Sequence, residues 1–280
     1  MNDIKNIAVI GLGYVGLPLA LLAEEKNYNV VGVDASKEKL NRLKSKQPII
    51  DDEHANARLK KTKILFTDDF KKIKDVDAAI ICVPTPVDID KNPDISLVEN
   101  AAIAASKQLK KGSLLVVEST INPGVCDEIV IPAIEKNTEH KVGKTIFVAH
   151  CPERINPGDL KWHVGNINRV LGADSDEGLD MAYSLYDKLI DAKVKKMGTL
   201  KEAEACKVVE NSFRDVNIAF VNELAMSFEK LGINVKNVID GAATKPFAFM
   251  AHYPGIGVGG HCIPVDPYYL IEYAKNKGFD

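Results

Sequence analysis

The chain has 280 residues, of which 46% are hydrophobic, and this is enough for about two domains with packed cores. Its 36 basic and 39 acidic residues are mixed along the sequence and leave a formal net charge of −3, so neither nucleic acid nor an anionic membrane surface is expected as a partner. No apolar stretch approaches the roughly 20 residues that a membrane-spanning helix needs.

The five cysteines are far apart, and no two of them form a Cys-x-x-Cys pair for zinc or for a redox disulfide. This usage is typical of the reducing cytoplasm, and we predict no metal site. The apolar segment 7–23 contains three glycines and Pro18, and only Lys5 precedes it as a basic residue, so we expect no signal peptide there.

Short runs of β-branched and other apolar residues alternate with helix-like segments in the first two thirds of the chain. Such alternation is typical of βαβ units, whose parallel strands are buried because helices cover both faces of the sheet. The runs are Ile7 to Ile10, Val30 to Val33, Lys63 to Phe66, Ala78 to Val83, Leu114 to Val117 and Ile146 to Ala149; Arg169 to Leu171 and Lys193 to Met197 are expected to extend the same sheet.

The pattern changes at Thr199, where Thr199 and Glu202 have the spacing of a capping box and the next helix breaker is Gly232. One helix of about 30 residues is implied, with shorter helices over 235–242 and 267–277. We therefore predict an α/β fold in which a mostly parallel sheet over 1–198 is followed by a small all-helical domain over 199–280. The long helix carries a second apolar face, which favours a homodimer.

A glycine-rich segment, Gly11-Leu12-Gly13-Tyr14-Val15-Gly16, directly follows the first predicted strand and opens a helix. This context is that of a dinucleotide-binding turn, so the sheet is expected to be of the Rossmann type. Gly11 would make the tight turn, Gly13 would admit a pyrophosphate at the helix N-terminus, and Gly16 would pack the helix against the strand. The alternative is a glycine-rich turn without a ligand.

Asp34 ends the second predicted strand, where an acid accepts the ribose hydroxyls of NAD and repels the 2′-phosphate of NADP. NAD is the expected cofactor. Lys39 lies one turn into the next segment and is either close to the adenine ribose or solvated.

Polar residues follow three further strands, at the edge where open α/β sheets bind ligands. Thr85 follows the fourth strand, Thr120 the fifth and Glu153 the sixth. We consider the two threonines as nicotinamide contacts and Glu153 as a base. Ordinary loop residues and a surface glutamate are the alternatives.

On the long helix, Lys207 and Asn211 are four residues apart and share one face, where both can approach a substrate oxygen unless the lysine is simply solvated. Cys262 lies between glycines and prolines in the segment 257–267, which can hold a thiol beside a substrate. The alternative for Cys262 is a buried cysteine in a glycine-rich turn.

Together these motifs resemble the UDP-glucose/GDP-mannose 6-dehydrogenase family, whose members oxidise the C6 alcohol of a nucleotide sugar to a uronate. The resemblance runs from residue 4 to the end. It rests on GLGYVGLP at 11–18, CVPTP at 82–86, EST at 118–120, PERINPG at 152–158, K-x-x-x-N at 207–211 and GVGGHCIPVDP at 257–267.

The resemblance implies a role for each matching residue. Cys262 would be the nucleophile, Lys207 and Asn211 would stabilise oxyanions, Asp266 and Thr120 would position a water or proton acceptor, and Glu153 would be the base for hydrolysis. The implied NAD contacts are Gly11, Gly13, Tyr14, Val15, Gly16, Asp34, Lys39, Thr85 and Thr120. The implied substrate contacts are Glu153, Arg154, Lys207, Asn211, Tyr253, Gly257 and Gly259.

A nucleophilic thiol suits this chemistry, because an aldehyde has no hydride-donating alkoxide until a thiolate adds to it. His261, Ile263-Pro264 and Asn156-Pro157 resemble the branch of the family that acts on UDP-N-acetylhexosamines. The resemblance implies three domains in series, and the third of these, a UDP-binding domain, is not found within these residues. The family also suggests a role in capsule or surface polysaccharide biosynthesis.

Two other interpretations remain open. A 3-hydroxyacid dehydrogenase likewise combines a Rossmann domain with a helical domain carrying Lys-x-x-x-Asn, but it needs no thiol. A chain without the third domain is also compatible with a non-catalytic NAD-binding dimer module.

Overall fold

The computed structural model describes residues 4–88, 93–155, 161–259, 263 and 265–279. Within this part, the chain forms two compact units, one ending at Lys207 and the other beginning at Val208. The predicted nucleophile Cys262 and its neighbour His261 lie outside the described residues, as do Asn156 and Pro157.

The first unit is built on an eight-stranded sheet. Its strands are β1 (Asn6–Ile10), β2 (Asn29–Val33), β3 (Leu65–Thr67), β4 (Ala78–Ile81), β5 (Ser113–Val117), β6 (Ile146–His150), β7 (Arg169–Ala173) and β8 (Val194–Lys196). The strand order is β3-β2-β1-β4-β5-β6-β7-β8. All eight predicted strands are confirmed, with ends shifted by a few residues.

Helices cover both faces of this sheet. They are α1 (Gly16–Glu25), α2 (Lys37–Lys44), α3 (Glu53–Leu59), α4 (Ser96–Ser106), α5 (Ile131–Asn137) and α6 (Asp176–Leu189), with a 3-10 turn at Phe70–Ile73 and a π turn at Cys126–Val130. Apolar side chains of α1, α2, α3 and α6 form one core with the sheet, and those of α4 and α5 form a second core on the other face. The central strands are buried on both faces, as their continuous apolar runs predict.

One strand pair departs from the parallel pattern, because β7 runs antiparallel to β6. Ala149 pairs with Ala173 and His150 with Gly172. Continued past the end of β6, the same register sets Glu153 opposite Arg169. The first residue of β7 therefore lies at the edge where β1, β4, β5 and β6 end.

The long predicted helix is confirmed as α7 (Leu200–Lys230). Its capping box forms as predicted: the Thr199 hydroxyl accepts from the Glu202 amide at 3.1 Å, and the Glu202 carboxylate accepts from the Thr199 amide at 3.1 Å. The chain entering α7 packs on Gly172, where an added Cβ would lie 2.3 Å from the Thr199 carbonyl oxygen. The predicted domain boundary at 198/199 stays a prediction.

The second unit contains the rest of α7 with α8 (Val235–Ala243) and α9 (Asp266–Asn276). The predicted α/β fold with a helical C-terminal region is thereby confirmed. Among the described residues, no helix is both long and apolar enough to cross a membrane. Several large apolar side chains of this unit are exposed, including Val209, Phe213, Val216, Phe220, Met226 and Leu231.

Candidate active site

The turn after β1 requires glycine at two of its three positions. Gly11 has φ +91°, and a Cβ there would lie 2.6 Å from the Cys82 carbonyl oxygen. A Cβ on Gly16 would lie 1.9 Å from the Gly11 carbonyl oxygen. These two glycines therefore hold the turn against β4 and the first turn of α1.

Gly13 is different, because a Cβ at this position would meet nothing within 4 Å and its φ is not positive. The fold itself does not require glycine here. The bare backbone is open at the N-terminus of α1, where amide groups favour an anion. Next to it, Tyr14 is exposed and Val15 is half-buried.

Asp34 follows β2 and is held in place by two main-chain amides. Its Oδ2 accepts from Leu12 N and its Oδ1 from Ser36 N, both at 2.8 Å. The Lys39 ammonium lies 3.7 Å from Oδ2, so the two predicted ribose contacts are neighbours. The open backbone at Gly13 and this fixed carboxylate fit a dinucleotide whose adenosine ribose has free hydroxyls.

The loops after β4 and β5 are joined by a contact that the sequence did not suggest. Ser119 lies between Glu118 and Thr120, and its hydroxyl donates to the Val83 carbonyl at 2.7 Å. The two predicted nicotinamide contacts, Thr85 and Thr120, are each half-buried beside this contact.

A buried charge network lies at the ends of β5 and β6. Arg169 is fully buried, and its Nη2 lies 2.6 Å from Oε2 of Glu153. Its Nη1 lies 3.9 Å from Oε1 of Glu118, which accepts from the Tyr186 hydroxyl at 2.6 Å. The Cys82 thiol faces the other Glu118 oxygen at 3.7 Å. Of these residues, Glu153 alone was predicted to have a role in the site.

Both oxygens of Glu153 are engaged in this structure. Oε1 accepts from the backbone amides of Arg154, at 2.5 Å, and Ile155. The Arg154 guanidinium donates to the Asn168 carbonyl at 2.9 Å, and its partial burial lowers its pKa. The carboxylate is therefore a fixed group at the sheet edge rather than a surface glutamate.

The network carries one more carboxylate than cation. Burial raises the pKa of Glu118 to about 7, against the opposing effect of Arg169. Burial also disfavours the charge of Arg169, but Glu153 and Glu118 outweigh it and raise its pKa. Glu118 therefore gains or loses its proton near neutral pH.

Three buried cysteines are poor nucleophiles in this environment. Burial raises the pKa of the thiols of Cys82, Cys126 and Cys151 above the ordinary cysteine range, and nearby carboxylates add to the rise. These thiols stay protonated at neutral pH.

The second unit brings two of the predicted catalytic residues together. Asn211 donates from Nδ2 to Oδ2 of Asp266 at 2.5 Å, and Asp266 is buried at the start of α9. Lys207 lies one turn before Asn211 on α7. The Tyr253 hydroxyl, a predicted substrate contact, donates to Oδ1 of Asp240 at 2.8 Å.

An open pocket of about 400 Å³ lies beside Asn211 and Asp266. It is lined by Asp215, Val258, Gly259, Pro267, Tyr268 and Ile271. Gly257 and Gly259 have φ of +126° and +62°, which explains why glycine occurs at both predicted contact positions.

Two family models match the chain, and together they cover most of it. The model of the UDP-glucose/GDP-mannose dehydrogenase family, NAD binding domain, matches residues 5–190, and that of the central domain matches residues 201–280.

Individual relatives agree with this match. A UDP-N-acetyl-D-glucosamine 6-dehydrogenase of Pseudomonas aeruginosa is 39% identical over 279 residues, which are 100% of this chain and 65% of the relative. Protein CapL of Staphylococcus aureus is 40% identical over 274 residues, 98% of this chain and 64% of the relative. A solved structure of a UDP-D-ManNAc dehydrogenase from Pyrococcus horikoshii is 37% identical with a TM-score of 0.92, over 97% of this chain and 65% of that one. The chain thus spans somewhat less than two thirds of these proteins.

Proposed function

The chain belongs to the UDP-glucose/GDP-mannose dehydrogenase family, and from this premise we propose that it is the NAD-binding and central part of an NAD-dependent UDP-sugar 6-dehydrogenase. The reaction would convert the C6 alcohol of the sugar to a carboxylate in two oxidations. The observation that carries the proposal is that the open turn at Gly13, the fixed Asp34 and the buried Glu153 lie along one edge of the sheet.

The residues of the first unit fit NAD. The backbone at Gly13 and the N-terminus of α1 would hold the pyrophosphate, and Asp34 with Lys39 would hold the adenosine ribose. Thr85 and Thr120 would contact the nicotinamide half. When bound, NAD supplies the hydride acceptor, and each NAD molecule accepts one hydride.

The chain's own residues would carry the remaining chemistry. In the first oxidation the C6 alcohol loses a hydride and gives a proton to water, and it becomes an aldehyde. The resemblance implies Thr120 and Asp266 as residues that position this water. The Cys262 thiolate then adds to the carbonyl carbon, and Lys207 and Asn211 stabilise the oxygen on which negative charge develops.

The thiohemiacetal then loses a second hydride and becomes a thioester on Cys262. Water attacks the thioester carbon, its proton passes to Glu153, and the thiolate leaves as the carboxylate product forms. Two hydrides therefore leave the same carbon for each sugar oxidised.

For the substrate we propose a UDP-N-acetylhexosamine. Two observations support this proposal: the residues around Cys262 and Glu153 resemble the UDP-N-acetylhexosamine branch, and relatives of the chain include a UDP-N-acetyl-D-glucosamine 6-dehydrogenase and a UDP-N-acetyl-D-mannosamine dehydrogenase. Both of these relatives are named for an N-acetylated amino sugar. The hexose stereochemistry stays outside the proposal.

We also propose that the protein is a homodimer through α7. The support is a row of exposed apolar side chains at helical spacing on this helix, which water would otherwise cover. They include Val209, Phe213, Val216 and Phe220.

The test of the activity counts NADH formed per UDP-sugar consumed by the intact protein and by Cys262→Ser. The proposal expects two for the native protein, whereas the serine variant stops at one, because it forms no thioester. Cys206→Ser is the matched control, since Cys206 is a half-buried free cysteine outside the proposed machinery. Two NADH from Cys262→Ser would overturn the mechanism, one from the native protein would favour the hydroxyacid dehydrogenase, and none would favour the inert module.

A further inference from the structure

Arg169 is a fully buried cation whose contacts converge on the proposed base. Its Nη2 is 2.6 Å from the Glu153 carboxylate, while Nη1 and Nη2 donate to the carbonyls of Pro152 and Val164 at 3.3 and 3.4 Å. Since β7 is antiparallel to β6, the first residue of β7 reaches the same edge as Glu153. The guanidinium thus contacts both the Glu153 side chain and the main chain of the preceding residue, Pro152.

A buried arginine is costly unless carboxylates and carbonyls replace its water. In this fold the cation lies between two carboxylates, Glu153 on one side and Glu118 on the other. Glu118 is in turn fixed by the Tyr186 hydroxyl at 2.6 Å. The orientation of the guanidinium is therefore set from α6 and β5, independently of any ligand.

We propose that Arg169 is a positioning residue that holds the carboxylate of Glu153 in a fixed orientation for the hydrolysis step. This inference rests on the proposed function, in which Glu153 takes a proton from water. It assigns Arg169 a purpose that packing alone does not require, because an apolar side chain of similar volume fills a buried site at lower cost in desolvation.

Other titratable groups face this pair from the neighbouring elements. They are Glu118 after β5, Tyr186 on α6, Cys82 after β4, and Cys151 and Arg154 after β6. The two thiols and the phenol remain neutral, because burial raises the pKa of each above its ordinary value. Glu118 is the neighbour whose charge changes near neutral pH, so it must be separated from Glu153 in the test.

The test compares Arg169→Met and Arg169→Lys in the intact enzyme, with kcat, KM and the NAD dissociation constant measured from pH 6 to 9. Without the guanidinium, the Glu153 carboxylate loses the contact that orients it, so kcat of Arg169→Met falls about tenfold or more across this pH range. Arg169→Lys keeps the charge without the planar fork of the guanidinium and shows a smaller loss of kcat. KM and NAD affinity stay within about twofold, because neither ligand touches Arg169 in the proposal.

Two controls separate this role from a loss of folding stability. Asp77→Asn removes an ion-paired carboxylate from the opposite edge of the sheet and should leave the pH profile unchanged. Glu118→Gln removes the neighbouring carboxylate whose pKa is about 7, so a pH dependence of kcat that disappears in this variant belongs to Glu118.

A double variant decides the question even if Arg169→Met alone folds poorly. In Arg169→Met/Glu153→Gln the ion pair is removed as a whole, and kcat should match that of Glu153→Gln, because Arg169 acts through Glu153. The inference is overturned if the two losses multiply, or if Arg169→Met keeps the kcat of the native enzyme. Full kcat in Glu153→Gln would instead contradict the proposed function itself.

Discussion

The substitution Gly13→Ala separates the two purposes of glycine in the turn after β1. A Cβ on Gly13 meets nothing within 4 Å, and φ at this position is not positive, so alanine would not be forced into a left-handed backbone conformation. Folding should therefore be unaffected, or stabilised by about 0.4–1 kcal/mol through the less flexible unfolded chain. NAD binding should suffer, because the new methyl group takes the space that the pyrophosphate needs.

The expected loss of affinity follows from the contacts that the methyl group would disrupt. A hydrogen bond from a main-chain amide to a charged phosphate oxygen contributes about 1.5–3 kcal/mol. Losing one such bond raises the NAD dissociation constant roughly 10- to 150-fold. Gly16→Ala should behave differently, since its Cβ would lie 1.9 Å from the Gly11 carbonyl oxygen and must disturb the turn itself.

The assay pairs isothermal titration of NAD with urea unfolding of the same samples. Gly241→Ala is the matched control: it lies in α8, its Cβ also meets nothing within 4 Å, and it should stabilise the helix by roughly 1 kcal/mol without changing NAD affinity. The reasoning fails if the NAD dissociation constant of Gly13→Ala is within about twofold of that of the native protein. Such a change is smaller than the loss of one hydrogen bond, and it would mean that the pyrophosphate does not pass over Gly13.

Three further substitutions test other parts of the structure. Burial lowers the pKa of His150 from its ordinary 6.5 to about 3, so the unfolded chain binds a proton first and the free energy of unfolding falls as the pH drops below 6.5. In urea unfolding, His150→Leu should reduce this dependence of the free energy of unfolding on pH by about 1.4 kcal/mol per pH unit, and an unchanged dependence would contradict the assignment. Asp34→Asn should weaken NAD binding about tenfold and reduce the preference for NAD over NADP, as measured by fluorescence titration with NADH and NADPH. An unaltered preference would contradict the assignment of Asp34 to the ribose site. Phe220→Glu places a charge on the exposed apolar face of α7 and should halve the mass found by light scattering at micromolar concentration; a native protein that already has the monomer mass would refute the proposed dimer.

Much of the fold could be predicted because its signals are local. Apolar runs identify buried strands, and the capping box at Thr199 and Glu202 marks the start of α7. The dinucleotide turn is also local, since its glycines and the first residues of α1 are adjacent in sequence. Asp34 could be placed near this turn because β1 and β2 are neighbours joined by one helix.

The buried network could not be found in the same way, because its members come from distant parts of the chain. Glu118 lies in the EST motif, but Arg169 and Tyr186 have ordinary sequence surroundings, and no short motif links the three residues. A charged residue at the start of a predicted strand was the one available signal, since Arg169 is costly to bury without partners. The pairing of Asn211 with Asp266 likewise depends on how α9 packs against α7.

The sequence by itself determined the elements, the open turn at Gly13 and the residue types available for chemistry. Only the tertiary structure decided that β7 runs antiparallel to β6, because a strand buried on both faces has the same apolar pattern in either direction and can form a hydrogen-bonded ladder in both. Had β7 been parallel, Arg169 would lie at the opposite edge of the sheet. The direction of one strand therefore places the buried cation beside Glu153 and completes the charge network.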